Sequence, residues 1–251
     1  MNKITKFLLI ILLILIGAYF LLTGFVKETD NIADKVGARV GGGELSVTEY
    51  YSLAQCFETY KNYLSKKDYN TAYIMLGHLY RRYVPYEEYE KNILTKNVSE
   101  MQIEDINIIT STTFDLLVDT SGEKEHYSII IDNKTNKFTL LPESFLDYKA
   151  IDIEESKKKL ECTLKDYVVY IDKCVLNFEI KNNNKKEEIN ISKATLFTNM
   201  ESTLENNEII SIKPGETKSI QIAFETDYEF PTKVVLERIE NKKSIEYSYE
   251  F

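Results

Sequence analysis

Tryptophan is absent from this chain of 251 residues, and cysteine, histidine, proline and glycine are scarce. Three cysteines are too few for a disulfide framework. Two histidines without an associated cysteine or aspartate pattern do not supply the converging ligands that a metal ion needs. The glycines at 41–43 neither follow a predicted strand nor have the spacing of a nucleotide-binding loop. These shortages argue against a disulfide-rich scaffold, a metal site and a nucleotide cofactor, so we expect no cofactor.

The three cysteines leave two interpretations open. Cys162 and Cys174 lie on two predicted neighbouring strands, and a disulfide between them requires Cα atoms about 5.5–6 Å apart. The alternative is that both, together with Cys56 on a helical apolar face, are small apolar packing residues.

Acidic residues outnumber basic ones by 40 to 31, and the net charge is −9. The first 26 residues contribute +2 through Lys3 and Lys6, which leaves −11 on the rest of the chain. Binding to a phosphate backbone requires clustered lysine and arginine, whereas the short lysine runs of this chain are followed or interrupted by glutamates. The charge argues against nucleic acid as a partner and against attachment through anionic lipid head groups.

One long apolar run stands near the N-terminus. The segment Phe7 to Val26 has no charged residue, and about 20 apolar helical residues are needed to span a bilayer. Lys3 and Lys6 precede it, so the positive-inside rule keeps residues 1–6 in the cytoplasm and places the chain beyond Lys27 outside. The sequence therefore predicts a single-pass protein of the cell membrane, with its N-terminus inside.

A cleaved signal peptide and a buried helix are the alternatives to this signal anchor. A signal peptide has an apolar core of roughly 7–15 residues and ends in a small-x-small site. The run here is longer, and its one plausible site, Ile16–Ala18, has isoleucine where a small residue is required. These features favour an anchor that is retained, although the sequence leaves cleavage open.

Residues 27–45 contain four of the nine glycines and no apolar periodicity, which is typical of a flexible tether. After it the pattern becomes helical. Ser46 and Glu49 have the spacing of a capping box and predict a helix over 46–64. Asp68 caps a second helix, and Pro85 suits the first turn of a third that ends near residue 94. The apolar face of the second helix comprises Ala72, Tyr73, Leu76, Leu79, Tyr80 and Tyr83.

The period then changes from 3.6 to 2. Alternation between 103 and 141, with a turn at Ser121-Gly122, predicts an antiparallel meander that Pro142 closes. Helices followed by strands indicate an α+β domain over 46–148. Residues 149–251 have a possible helical turn at 153–159 and otherwise strand patterns with Asn-rich and Pro-Gly separators, typical of an all-β sandwich. The strands are expected at 160–171, 174–181, 187–198, 208–213, 217–225, 233–240 and 243–250.

The segments Tyr60–Tyr73 (YKNYLSKKDYNTAY) and Tyr86–Tyr89 (YEEY) resemble the nuclear-transport-factor-two-like fold. The resemblance covers about residues 46–142 and implies three helices packed on a curved antiparallel sheet. That fold hosts isomerases, dehydratases, secretion-system subunits and structural modules, so it does not identify an activity.

The C-terminal region is similar to the immunoglobulin-like β-sandwiches of bacterial surface proteins. Phe178–Asn184 (FEIKNNN) reads as a strand that enters an asparagine turn, and Ser211–Ile220 (SIKPGETKSI) as a strand, a Pro-Gly turn and a strand. The resemblance covers about 90 residues and implies a fold, without binding residues.

Few residues are candidates for a site. Ten of the 18 tyrosines fall between Tyr50 and Tyr89, mostly at positions of the helical core. Tyr63, Tyr86 and Tyr89 are the candidates for a protein-contact surface. An acid or base in the pocket of the cone-shaped sheet would come from His78, Asp115 or His126, although each has an ordinary structural interpretation. No residue is assigned a catalytic, cofactor-binding or metal-binding role.

The sequence thus predicts a non-enzymatic interaction or scaffold protein of the bacterial cell envelope. It is anchored in the bilayer through Phe7–Val26 and offers sheet edges and an acidic surface to envelope proteins. One alternative is a subunit of a conjugation or secretion apparatus. Another is an enzyme or small-ligand binder that uses the α+β pocket, with His78 and Asp115 as pocket residues.

Overall fold

The structure, a computed structural model, describes residues 45–251. The predicted stub at 1–6, the predicted span at 7–26 and all but the last residue of the predicted tether lie outside this range. Between residues 45 and 251, no helix is long and apolar enough to cross a membrane. This part of the chain forms antiparallel sheets with a few helices, which confirms the α+β class.

Four helices come first. α1 (Val47–Ser65) begins with the predicted capping box, in which the Ser46 hydroxyl accepts from the Glu49 N–H and the Glu49 carboxylate accepts from the Ser46 N–H. α2 (Tyr69–Met75) has Asp68 as its cap, and α3 (His78–Tyr83) follows. α4 (Tyr86–Ile93) begins after Pro85, and a 3-10 turn at Val98–Glu100 leads into the first strand.

The second predicted helix is broken into α2 and α3. Leu76 is extended and forms a parallel bridge with Leu140, and the Gly77 N–H donates to the Leu140 carbonyl at 3.2 Å. A Cβ atom at Gly77 would lie 2.5 Å from a Leu141 methyl group, so glycine permits this close approach. The prediction of a single helix over 68–83 was wrong. Leu140, in a strand at the edge of a sheet, pairs with the backbone of Leu76 and Gly77 and thereby interrupts the helix.

The first sheet is the predicted meander, with strand order β1-β2-β3-β4 and antiparallel neighbours. The predicted turn at Ser121-Gly122 has positive φ at both residues and joins β2 to β3, and Pro142 ends the last strand. The helices cover one face of this sheet and form a common core with it. The strands are β1 (Met101–Thr110), β2 (Thr113–Thr120), β3 (Glu123–Asp132) and β4 (Lys137–Pro142).

Ten further strands build the second half. One sheet has the order β12-β7-β6-β5, another β10-β9-β13-β14, and β11 pairs with β8. The helical turn expected at 153–159 was wrong, because β5 remains paired with β6 through Lys157. The strands are β5 (Phe145–Lys157), β6 (Leu160–Tyr170), β7 (Lys173–Asn182), β8 (Ile189–Ile191), β9 (Lys193–Thr198), β10 (Thr203–Asn206), β11 (Ile210–Ile212), β12 (Thr217–Glu225), β13 (Pro231–Glu240) and β14 (Lys243–Glu250).

Strand β5 belongs to both hydrophobic cores. Phe145 packs with the helices, whereas its neighbour Leu146 packs between the sheets of the second half. On β6, Val168 and Val169 divide in the same way, because successive strand residues point to opposite faces. The predicted domain boundary between residues 148 and 149 falls inside β5. Strands β5 and β6 therefore contribute side chains to the cores of both halves.

All three cysteines are free, so the alternative of a Cys162–Cys174 bridge is wrong. Cys162 pairs across the strands with Ile180 and Cys174 with Val169, which puts them at opposite ends of the β6–β7 hairpin. Burial raises the pKa of the Cys162 and Cys174 thiols to about 12 each. Both behave as packing residues rather than nucleophiles.

Candidate functional site

An open cleft of about 460 Å³ lies where the two halves of the molecule meet, and we call it the junction cleft. Its floor comes from the first sheet, and its rim comes from two turns, one between β4 and β5 and the other between β6 and β7. The residues that matter for its chemistry are Asp115, His126, Glu143, Ser144, Asp172 and Lys173.

Asp115 is the centre of this cleft. Phe114 and Leu116 belong to the helix-covered core, so the alternation of β2 turns Asp115 toward the other face of the sheet. Its carboxylate is buried, and both oxygens have partners. The Ser144 hydroxyl donates to Oδ1 at 3.0 Å, and His126 Nδ1 lies 2.8 Å from Oδ2.

The β2–β3 register brings His126 to Asp115. Asp115 pairs with Ser128, and His126, two residues before Ser128, is its diagonal neighbour on the same face of the sheet. Its side chain is half exposed. Because Nδ1 is occupied by the carboxylate, Nε2 is the ring nitrogen that can meet a ligand in the cleft.

A strained turn positions Ser144. Glu143 and Ser144 both have left-handed backbones, with φ of 61° and 54°, in a connection without glycine. Such conformations cost of order 1–3 kcal/mol each and persist only where surrounding contacts enforce them. Here the Ser144 N–H donates to the His126 carbonyl, and the Ser144 carbonyl accepts from the Ile171 N–H at 3.0 Å. The turn therefore ties β3 to the second half of the molecule.

Charges of both signs surround the Asp115 cluster. Lys96 pairs with Glu125, which also accepts from the Tyr127 hydroxyl at 3.1 Å. Lys124 lies 2.9 Å from the Glu104 carboxylate. Lys173 stands over the Tyr170 ring, 4.9 Å from its centre. The cleft thus offers a mixed-charge surface, with Lys173 as a cation at its rim.

This arrangement does not pair a nucleophile with a base. A serine nucleophile needs its hydroxyl proton to face a general base such as imidazole. Ser144 instead donates to Asp115, while His126 contacts the other oxygen of the same carboxylate. Within residues 45–251, no group of three or more His, Cys, Asp or Glu residues is placed to hold a metal ion.

The structure separates the predicted pocket residues His78 and Asp115. His78 is exposed at the first position of α3 and is not part of the junction cleft. Asp115 lies in the cleft with His126, which the sequence marked only as a candidate acid or base. Of the two predicted pocket residues, Asp115 lies in this cleft and His78 does not, and the hairpin register brings His126 to the aspartate.

Of the three tyrosines predicted as a contact surface, Tyr89 is buried and Tyr63 and Tyr86 are partly exposed. Tyr89 is only 2% exposed, and its hydroxyl donates to the Tyr60 hydroxyl at 3.2 Å, so its assignment to a surface was wrong. Tyr86 is half buried, with its ring against Tyr73 and its hydroxyl on Glu90. Tyr63 is also half buried and packs against the core.

The tyrosines instead fill the space between the helices and the first sheet. Tyr60 and Tyr127 are completely enclosed, and their ring centres are 6.2 Å apart. Burial raises the pKa of both phenols well above 10, so they stay neutral. The Tyr73 hydroxyl lies 3.0 Å from the Arg81 carbonyl and 2.8 Å from the Val84 carbonyl, at the C-terminal end of α3, and can donate its single proton to either.

Sequence reasoning missed Ser144 and the Asp115–His126 contact. The contact had a signal, because a two-residue turn at Ser121-Gly122 fixes the hairpin register. Extending that register pairs Asp115 with Ser128 and places His126, two residues before Ser128, on the same face. No sequence pattern near Ser144 predicted its role, which depends on how β5 leaves the first sheet.

Comparison of the chain with protein-family models, curated proteins and solved structures finds no match.

Proposed function

We propose that this protein is a membrane-anchored interaction or scaffold protein of the bacterial cell envelope, with residues 45–251 outside the cytoplasm. The uncharged segment 7–26 and the lysines before it support the anchor and its orientation. The helices on one face of a four-stranded meander support a nuclear-transport-factor-two-like first half. The packed antiparallel sheets support an immunoglobulin-like second half.

The observation that carries the proposal is the construction of the junction cleft. Residues from both halves contribute to one open surface on which cations and anions alternate. Such a surface is complementary to charged side chains of another protein, and charge complementarity determines orientation and association rate. A partner bound there would contact both halves at once, which suits a scaffold.

The same geometry underlies the proposal that the protein is not an enzyme. Each Asp115 oxygen already has a partner, Ser144 or His126, and the Ser144 carbonyl accepts from the Ile171 N–H of the second half, so we assign these residues a structural role. The strain of the Glu143-Ser144 turn is then balanced by these contacts and by the backbone bond to Ile171.

Crosslinking in intact cells tests the interaction. A photoreactive amino acid replaces Lys173 at the cleft or, as a matched control, exposed Lys134 in the β3–β4 turn. We expect a discrete protein adduct from position 173 and not from 134. A charge reversal elsewhere at the cleft rim, Asp172→Lys, should abolish it. Identical adducts from both positions, or lipid adducts alone, would remove the support for this cleft as a protein-binding surface.

Topology has a separate test. Protease added to intact protoplasts should digest the chain beyond Lys27, because the proposal places that part outside. Protection of residues 45–251 from the protease, with digestion after lysis as the control, would refute the orientation without affecting the cleft.

A second candidate function is binding of a small ligand through His126. The observation that favours it is the buried carboxylate behind Nδ1, which orients the ring and leaves Nε2 toward the cleft. A ligand-dependent change in the His126 ring signals in NMR, lost in Asp115→Asn, would support this alternative over a purely protein-binding cleft.

A further inference from the structure

A second open cleft, of about 630 Å³, lies at the end of the second half far from β4, and we call it the end cleft. The β5–β6 turn forms one side, the loop between β7 and β8 another, and the end of β13 the floor. Its chemistry comes from Lys158, Lys159, Glu187, Glu188, Arg238 and Glu240.

Arg238 lies at a position where the strand pattern calls for an apolar residue. Val234 and Leu236 point into the core between the two sheets, and Arg238 continues the same face of β13. Only 3% of Arg238 is exposed. Arg238 is one of the residues that line the end cleft, so this buried side chain lies between the core and the cleft floor.

The buried guanidinium is incompletely compensated. One Nη2 hydrogen bond reaches the Lys158 carbonyl at 3.1 Å, and the Glu240 carboxylate is 3.7 Å away. Arg238 Nε is buried and has no hydrogen-bond partner. Leaving a buried donor of a charged group unpaired costs free energy, so such a group calls for an explanation.

Glu240 does not provide full compensation because a second cation competes for it. Its other oxygen accepts from Lys158 Nζ at 2.8 Å, and that hydrogen bond lowers the pKa of the Glu240 carboxyl. Glu240 is also more than a third exposed, whereas Arg238 is enclosed. A carboxylate that enters the cleft would give the guanidinium the charged partner that Glu240, 3.7 Å from Nη2, does not provide at hydrogen-bond distance.

The turn at the rim adds positive charge beside Arg238. Lys158 and Lys159 both have left-handed backbones, with φ of 46° and 68°, and carry the β5–β6 hairpin around the cleft. Glu187 and Glu188 line the opposite side. Three cations and three carboxylates balance, so the site suits a single carboxylate better than a polyanion, which the glutamates would repel.

We propose that the end cleft is a binding site for one carboxylate group, with Arg238 as its anchor and Lys159 as a supporting charge. The carboxylate is carried by a peptide terminus or side chain, or by a small organic acid. The site is distinct from the junction cleft and does not depend on the interaction proposed there.

The probe for this site is acetate, titrated into the full-length protein at constant ionic strength with chloride as the balancing ion. The chain has four arginines, so the ¹⁵N NMR spectrum contains few Nε–H signals. The signal that disappears in Arg238→Lys is that of Arg238. We expect the Arg238 signal to shift saturably with acetate and not with chloride. A tri-alanine peptide with a free C-terminus and its C-terminal amide then distinguish a peptide terminus from a free acid. The free-terminus peptide shifts the signal in the first case, and only acetate does so in the second.

Two variants separate a ligand site from a structural arginine. In the variants, acetate binding is followed through the backbone amide signals of Lys158 and Lys159, which line the cleft and remain when Arg238 is replaced. Arg238→Met removes the charge and keeps an unbranched stem, so it should fold and lose acetate binding by roughly ten- to a hundredfold. Lys159→Gln leaves the floor intact and should weaken binding about two- to fivefold. Lys137→Gln, on exposed β4 surface, is the matched control and should change nothing.

Three results would overturn the proposal. The first is an Arg238 signal that acetate does not shift or that chloride shifts equally. The second is an unchanged acetate response in Lys159→Gln. The third is an acetate-dependent shift of the Lys158 and Lys159 amide signals that survives in Arg238→Met.

Discussion

The junction cleft and the end cleft are built alike but differ in how their buried charge is compensated. Each has an open mixed-charge surface, a rim turn with two consecutive left-handed residues and one buried ionisable side chain in its floor. In the junction cleft, Ser144 and His126 satisfy both oxygens of Asp115. In the end cleft, Arg238 keeps a buried Nε without a partner.

This difference separates two uses of a buried charge. A charge that is fully hydrogen-bonded within the chain stabilises the arrangement of its neighbours, and removing it leaves them unpaired. A charge that is only partly bonded costs stability in the free protein and gains its partner when a ligand binds. Asp115 is thus a positioning residue of the fold, and Arg238 is the anchor of a binding site.

The largest expected effect tests this contrast directly. Asp115→Ala should lower the free energy of unfolding by about 2–3 kcal/mol, because it removes the acceptor of two hydrogen bonds in a buried site. Arg238→Met should stay within about 1 kcal/mol of the wild type or be more stable. Urea unfolding followed by far-UV circular dichroism measures both. Equal destabilisation by the two substitutions would mean that the folded chain needs both charges, and the contrast would be lost.

The second prediction compares the two rim turns. Glycine relieves the strain of a left-handed residue, so Lys159→Gly should stabilise the protein by about 1 kcal/mol. Ser144→Gly gains the same relief but loses the hydrogen bond to buried Asp115, and should be net destabilising by about 1 kcal/mol.

Thermal unfolding of both glycine variants, with Ser144→Ala as a third, separates strain from hydrogen bonding. Ser144→Ala keeps the strain and loses the bond, so it should be the least stable of the three. If Ser144→Gly proved as stabilising as Lys159→Gly, the Ser144 hydroxyl would have no structural role.

The smallest expected effect is the titration of Glu240. Its hydrogen bond to Lys158 lowers the pKa of the carboxyl below the ordinary 4.5. A carboxyl with a lowered pKa contributes stability above its unfolded pKa and loses it as the pH falls through the folded pKa. The NMR titration of the Glu240 carboxyl carbon should therefore have its midpoint below 4.5, and Lys158→Gln should move it upward. Arg238→Met should move it less, because the guanidinium is farther away.

Much of the fold followed from local pattern. The capping box at Ser46, the turn at Ser121-Gly122 and most strands of the second half lie where alternation and turn residues predicted them. The errors share a cause. The helix expected over 68–83 is interrupted because Leu140, which is distant in the chain, pairs with Leu76 and accepts a hydrogen bond from the Gly77 N–H. Likewise, the helical turn expected at 153–159 is a strand because β6 pairs with it.

The candidate sites were less predictable than the fold. Asp115 and His126 were recognised individually, and their contact could have been read from the hairpin register. Tyr89 was predicted to lie on a contact surface together with Tyr63 and Tyr86, yet it is enclosed, because a phenol can be buried when its hydroxyl has a partner such as Tyr60. The sequence did not predict a role for Arg238, because a single arginine in a strand is common and its burial depends on neighbours that are distant in the chain.

The sequence by itself determined most of the secondary structure elements, the position of the Ser121-Gly122 turn and the acidic charge. Each of these depends on residues close together in the chain, whose spacing matches the period of a helix or strand. Only the tertiary structure decided that Ser144 reaches Asp115, that β5 serves two cores and that Arg238 is buried with an unpaired donor. These facts depend on how sheets pack against one another, where distance along the chain carries little information about proximity.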